Sequence, residues 1–232
     1  MTPFFRDNKD NLYATGAFLK HRGKFYVGKF NGKSWDKVGV DPFIVNTTQG
    51  FTIWLKDGLD NLYVSGKFIS NKGHYFFSKF DGTNWLEVGS PTDTYRPNGL
   101  INSAVIDKNG NIYVGGEIKD RSGKHYIAKW DGSSWSELGS GENALNANGV
   151  IHQIVVDSEG NVYAAGNFTN KEKKHYVAKW NGSSWSELGA GAGALNANDE
   201  IFSIYVDRNN AVYAIGKFKN ASKKYYVAVS YQ

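Results

Sequence analysis

Five aspartates stand at intervals of 50 residues: Asp7, Asp57, Asp107, Asp157 and Asp207. Tyr13, Tyr63, Tyr113, Tyr163 and Tyr213 keep the same spacing, as do Gly16, Gly66, Gly116, Gly166 and Gly216. A tryptophan column (Trp35, Trp85, Trp135, Trp185) and a second glycine column (Gly39, Gly89, Gly139, Gly189) run through four copies. No insertion or deletion interrupts the register, and segments 124–149 and 174–199 are identical at 20 of 26 positions. The chain is therefore one short unit copied in tandem. A unit of this length cannot bury its apolar face alone, so the copies must stack on one another.

Within a unit the pattern is β. In the fourth copy four runs, IHQIVVD (151–157), NVYAAGNF (161–168), HYVAKWN (175–181) and SWSELG (184–189), are rich in β-branched and aromatic residues. We denote them strands A to D. The A–B junction DSEGN (157–161) and the C–D junction NGSS (181–184) carry the Asp, Asn and Gly that tight turns require. No segment shows a sustained 3.6-residue apolar period, so little helix is expected. A four-stranded meander repeated every 40 to 50 residues is the signature of a β-propeller blade.

The run 112–139, with Gly115-Gly116, Trp130-Asp131 and Trp135, resembles a kelch-type blade. It is also similar to repeats of the form YVGGxF…YVAKWDGSSWxxLG in secreted bacterial propellers. The full glycine pair occurs once; Thr15, Ser65, Ala165 and Ile215 precede the glycine in the other copies. The resemblance implies an all-β, five-bladed propeller, with the five-bladed tachylectin-type lectins as an architectural parallel. The 232 residues form one domain on this reading, with blades at about 1–50, 51–100, 101–150, 151–200 and 201–232. The fifth copy stops before strand D, which predicts a last blade of three strands whose strand C is an exposed edge. Self-association or a protein partner at that edge is expected.

Several function classes are removed by composition. Without cysteine there are no disulfides and no thiol chemistry. No run of 18 apolar residues is present. MTPFFRDNKD lacks the apolar core of a signal peptide, so the expected extracellular or secreted location rests on the resemblance alone. Strand A lines the channel of a propeller, and the five A strands (TPFFR, FTIWLK, INSAVI, IHQIVV, IFSIYV) contain no Asp or Glu. A glycosidase needs two facing carboxylates, so no enzyme and no cofactor are expected. Arg6, Lys56 and His152 are the only titratable channel candidates and stand without partners in register. The Asp-bearing A–B turns match a calcium loop only faintly, since one carboxylate is constant and the closing Glu is missing. They are expected to cap their own hairpins, with no metal bound. The Tyr and Trp columns are expected to be packing residues.

Charge position carries the functional signal. The five B–C hairpin windows (17–24, 67–74, 117–124, 167–174, 217–224) hold 15 of the 27 Lys and Arg and only three acids. A propeller gathers these hairpins on one face with the D–A loops, whose sequences vary most between copies. A positive ring there would focus field on an anionic ligand. The candidate ligand-binding residues are Lys24, His74, Lys124, His125, Lys174, His175 and Lys224 on the hairpins and strand C starts, with Tyr95, Arg96, Asn146, Asn148, Asn196 and Asn198 on the loops. The expected function is lectin-like, multivalent recognition of a glycan or anionic polysaccharide. The alternative is a structural or protein–protein interaction scaffold, duplication-derived or engineered, with no small ligand. Nucleic acid is disfavoured because no RNA- or DNA-reading motif is present.

Overall fold

In the computed structural model the described residues are 4–7, 9–17, 25–39, 51–66, 75, 77–90, 92–189 and 191–231. They form five antiparallel meander sheets, one per repeat. Blade 1 holds β1 (Phe4–Arg6), β2 (Leu12–Ala17), β3 (Phe25–Phe30) and β4 (Trp35–Lys37). Blade 2 holds β5 (Phe51–Lys56), β6 (Leu62–Gly66), β7 (Ser78–Phe80) and β8 (Trp85–Glu87). Blade 3 holds β9 (Ile101–Ile106), β10 (Ile112–Gly116), β11 (Ala128–Trp130) and β12 (Trp135–Glu137). Blade 4 holds β13 (Ile151–Val156), β14 (Val162–Gly166), β15 (Ala178–Trp180) and β16 (Trp185–Glu187). Blade 5 has three strands, β17 (Ile201–Val206), β18 (Val212–Gly216) and β19 (Ala228–Ser230), so β19 is an edge. The fold is a five-bladed β-propeller whose last blade lacks its outer strand. The helical content among the described residues is two 3-10 turns, Gly141–Asn143 and Gly191–Gly193.

The A–B turns show why the Asp column exists. Asp157 Oδ1 accepts the backbone N–H groups of Glu159 and Asn161, both at 2.9 Å. Its Oδ2 accepts the Asn161 amide at 2.7 Å and the Tyr163 hydroxyl at 2.9 Å. Asp7, Asp57 and Asp107 repeat all four bonds. The fourth turn residue takes a left-handed backbone in every copy: Asp10 (φ 64°), Asp60 (63°), Gly110 (84°), Gly160 (93°) and Asn210 (61°). The carboxylates are hairpin caps that also hold the Tyr column, which lies buried in blades 1 to 4.

The Trp and second Gly columns together make the joint between blades. The indole N–H groups of Trp85, Trp135 and Trp185 donate to the carbonyls of Val38, Val88 and Leu138 in the preceding blade, at 3.0, 2.8 and 2.8 Å. The glycine after that carbonyl makes room: a Cβ on Gly89 would lie 2.4 Å from the Trp135 ring, and one on Gly39 2.9 Å from Trp85. Four buried clusters fill the joints 1/2, 2/3, 3/4 and 4/5. Among the described residues, no such cluster joins blade 5 to blade 1.

Strand C is shorter than its sequence suggests. Regular pairing begins only at Ala128 and Ala178. Upstream, His125 and His175 leave strand B and exchange backbone bonds of 2.9–3.0 Å with Ala147 and Ala197 in the D–A loop of their own blade. The hairpin itself persists, since His125 and His175 also bridge Lys119 and Thr169, so each histidine is held between the hairpin and the D–A loop.

Candidate functional site

Lys24 and His74 lie outside the described residues. The three other lysines, Lys124, Lys174 and Lys224, are exposed at hairpin tips, and their backbone N–H groups close the turn on Asp120, Asn170 and Asn220 at 2.9, 2.9 and 3.0 Å. The two described candidate histidines are tied to neighbouring protein groups. His125 is buried with Nδ1 3.1 Å from the Gly116 carbonyl oxygen, and burial, followed by the charge of Lys119, lowers its pKa. His175 Nε2 sits 3.1 Å from Asn167 Oδ1.

The loop asparagines divide into two roles. Asn148 and Asn198 act as backbone surrogates across a joint. Asn198 accepts the Lys219 N–H and donates to its carbonyl, both at 2.9 Å; Asn148 does the same to Thr169 at 2.8 and 3.2 Å. Asn98 makes this clamp on Lys119. Asn146 and Asn196 occupy left-handed turn positions, φ 48° and 46°. Arg96 reaches Glu87 at 3.4 Å, and the carbonyls of Tyr95 and Arg96 both accept the Tyr126 hydroxyl at 3.3 Å.

The three channel candidates, expected to lack partners in register, find acidic partners outside the A strands. Arg6 pairs with Asp10 at 3.0 Å and Lys56 with Asp60 at 2.9 Å, each four residues along the chain. His152 Nε2 meets Glu200 Oε2 at 3.1 Å, and Lys217 binds the other oxygen of the same carboxylate. Glu200 comes from a D–A loop, so inspection of the A strands alone does not find it.

What the loops and hairpins do build is a cavity at a joint, present twice in register. The cavity at joint 2/3 has a volume of ≈ 540 Å³ and is lined by Tyr95, Asn98, Lys119, Arg121, Tyr126 and Glu137, with Asp120. The one at joint 3/4 has ≈ 450 Å³ and takes the equivalent Leu145, Asn148, Thr169, Lys171, Tyr176 and Glu187, with Asn170, Asn146 and Trp185. Each is formed by the D–A loop of one blade, the hairpin of the next, and the glutamate of that blade's strand D. Of the candidate residues, Tyr95, Asn146 and Asn148 line these cavities. Lys124, His125, Lys174, His175, Lys224, Arg96, Asn196 and Asn198 are not among the lining residues of either. Glu137, Glu187, Tyr126 and Tyr176 were not among the candidates, although Glu87, Glu137 and Glu187 form a column visible at 50-residue spacing.

The two cavities differ in electrostatics. Asn170 donates its amide to Glu187 at 3.1 and 3.4 Å. At the equivalent place Asp120 faces Glu137 with no donor to offer. Burial, and secondarily the Asp120 charge, raises the Glu137 pKa. Among the described residues, Glu137 has no hydrogen-bond or ion-pair partner. It lines the cavity together with the half-buried Tyr95 and the buried Tyr126, and the exposed Lys119 and Arg121 line it as well.

No protein-family model matches the chain, and no curated protein does. Solved structures do. A gluconolactonase from Xanthomonas campestris superposes with a TM-score of 0.53 at 11% identity, over 93% of this chain and 69% of that one. PorZ, a surface component of the type-IX secretion system of Porphyromonas gingivalis, gives 0.57 at 15%, over 99% and 32%. YCF48 bound to D1 peptide gives 0.54 at 14%, over 93% and 61%. The chain thus spans a third to about two thirds of the length of these proteins. At such identities the likeness concerns the β-propeller fold. No helix among the described residues is long and apolar enough to cross a membrane.

Proposed function

We propose that the chain is a non-enzymatic, lectin-like glycan-binding module that uses the inter-blade cavities as its sites. The observation that carries this reading is the Glu137 carboxylate, without a side-chain partner among the described residues, in a cavity that the half-buried Tyr95 also lines. A carboxylate accepts two vicinal hydroxyls of a pyranose, and an aromatic surface covers the ring's apolar face. The exposed lysines and arginine of the hairpins surround these cavities and favour an anionic polysaccharide as the chain from which the bound sugar is drawn. The kelch-like blade and an extracellular or secreted location belong to the same reading. Two cavities on one rigid face give avidity toward a repeating polymer.

The test is a glycan array followed by calorimetry of the best ligand in a salt series, with Glu137→Gln and Lys119→Glu variants. Loss of a charge-assisted acceptor weakens binding by about tenfold or more in Glu137→Gln. Lys119→Glu steepens the loss only for charged glycans. Binding that vanishes at moderate salt and ignores Glu137→Gln would reduce the site to unspecific charge attraction. No binding to any glycan would leave the scaffold reading.

A further inference from the structure

The cavity at joint 2/3 holds charges of both signs that do not neutralise one another. Lys119 and Arg121 line it together with Asp120 and Glu137. Among the described residues, neither cation forms an ion pair, and Glu137 has no hydrogen-bond or ion-pair partner. Asp120 closes its hairpin with Oδ1, which accepts the Ser122 and Lys124 N–H groups at 2.8 and 2.9 Å. The Ser122 hydroxyl, 2.8 Å from Oδ1 and 3.0 Å from Oδ2, is one further donor. Oδ2 therefore keeps room for another. The two carboxylates also feel each other, since burial and then the Asp120 charge raise the Glu137 pKa. The buried Tyr126 hydroxyl relieves neither of them, because it points to the carbonyls of Tyr95 and Arg96, both at 3.3 Å.

The equivalent cavity at joint 3/4 shows what belongs between these two positions. There Asn170 takes the place of Asp120 and donates its amide to Glu187 at 3.1 and 3.4 Å. Thr169 replaces Lys119, and Lys171 keeps the place of Arg121. At joint 3/4 the protein supplies the donor; at joint 2/3 it supplies a second carboxylate, so the donor must come from the occupant. A metal ion does not suit the place. Calcium takes six to eight oxygens, and no group of three or more His, Asp or Glu able to hold a metal is present among the described residues. An ammonium carries a full positive charge and three N–H donors, enough to serve Glu137 and Asp120 Oδ2 together.

We propose that the cavity at joint 2/3 takes a zwitterionic saccharide, an amino sugar with a free ammonium linked to an acidic sugar. The ammonium lies between Glu137 and Asp120, and the acidic group meets Lys119 and Arg121. This rests on the reading of the joints as glycan sites and names the sugar class of one of them. Tyr95 and Tyr126, whose rings meet edge to face at 5.8 Å, give the same cavity its aromatic surface. An N-acetyl group in place of the ammonium brings one N–H and no charge, and it leaves two like charges facing each other. The cavity at joint 3/4 has no such pair and is expected to be indifferent to the amine.

Calorimetry with a tetrasaccharide of alternating glucosamine and glucuronic acid, set against its N-acetylated form, tests this. The free-amine form is expected to bind about tenfold tighter or more. Asp120→Asn, which keeps an acceptor for the hairpin and turns an amide toward Glu137, is expected to abolish that preference. Asn170→Asp is the converse change. Its Oδ1 retains the Glu172 and Lys174 N–H groups, and it should create a preference for the free amine at joint 3/4 as well. Equal or tighter binding of the N-acetylated form, still weakened by Glu137→Gln, overturns the proposal and leaves the cavity as a site for another sugar. Binding of neither form overturns it too, and a glycan array then separates loss of this sugar class from loss of the glycan reading. A peptide of alternating lysine and glutamate that binds more tightly than either saccharide, with the same dependence on Asp120, replaces the saccharide with a protein partner.

Discussion

Replacing Asp157 by Ala tests whether the repeated turn carboxylate holds the blade together. The side chain accepts four hydrogen bonds at 2.7–2.9 Å and is itself 9% exposed. Two of the donors are turn N–H groups near the surface that water reaches once the carboxylate is gone. The Tyr163 hydroxyl belongs to a fully buried residue and has no such recourse. A stranded buried donor costs about 1–3 kcal/mol, and bonds to a charged acceptor contribute about 1.5–3 kcal/mol, so the expected loss is about 3–4 kcal/mol. With a slope of about 3 kcal/mol/M for a chain of this size, the urea midpoint should fall by about 1 M. The pH dependence supplies a second readout. Burial pushes the Asp157 pKa up, but the bonds from Asn161, Tyr163 and Glu159 outweigh it and hold the pKa below its ordinary value. The stabilisation is therefore complete above the unfolded pKa of about 3.9 and disappears as pH falls through the lower folded value. Urea titrations followed by tryptophan fluorescence from pH 7 down to 3 should show a flatter acid limb for Asp157→Ala. An unchanged midpoint, or an acid limb as steep as that of the parent, refutes this account of the turn.

Gly116→Ala places a Cβ 2.1 Å from the Leu100 carbonyl oxygen and should lower the melting temperature by several degrees, as should the same change at Gly166 and Gly216. Trp135→Phe removes the 2.8 Å bond to Val88 and leaves that carbonyl unsatisfied in joint 2/3; about 2 kcal/mol should be lost in chemical denaturation. If Glu137 binds sugar as a carboxylate, affinity measured by calorimetry should decline on acidification at a higher pH than an ordinary glutamate allows, because burial and Asp120 raise its pKa.

Local chemistry was legible in the sequence and tertiary pairing was not. The A–B turns follow from Asp at the first position, a residue tolerant of positive φ at the fourth, and Asn at the fifth in four copies; all of this lies within five residues. The Tyr and Trp columns read correctly as packing, but that Trp135 bonds the carbonyl beside Gly89 depends on which blade is its neighbour. That the His125 backbone pairs with Ala147 as well as with Lys119 depends on the D–A loop returning beside it, a contact made by the folded loop. The cavities escaped the sequence reading for a related reason. Lysines on hairpin tips are conspicuous in a charge count, whereas Glu137, within a short strand, and Tyr126, just before one, carry no such local signal. Only a joint brings them opposite the loop that completes the cavity.

The joint also explains how one repeat can hold two unlike sites. Asn98/Asn148, Tyr126/Tyr176 and Glu137/Glu187 are the same in both cavities and make the frame, whereas Tyr95/Leu145, Lys119/Thr169 and Asp120/Asn170 differ and face the space within it. The decisive difference is at Asp120. Its Oδ1 accepts the Ser122 and Lys124 N–H groups to close the hairpin, and Asn170 closes its own with Oδ1 through the Glu172 and Lys174 N–H groups. Asparagine at position 120 would therefore keep the turn. Its amide would then face Glu137 as Asn170 faces Glu187, occupying the carboxylate and removing the like charge. Asp120→Asn is expected to leave stability unchanged or slightly raised and to return the Glu137 pKa toward normal, observable by carboxyl NMR titration. It should also weaken sugar binding at joint 2/3 about as much as Glu137→Gln does. Retained affinity in Asp120→Asn, with the Glu137 pKa restored, would mean that the free carboxylate is not what the ligand uses.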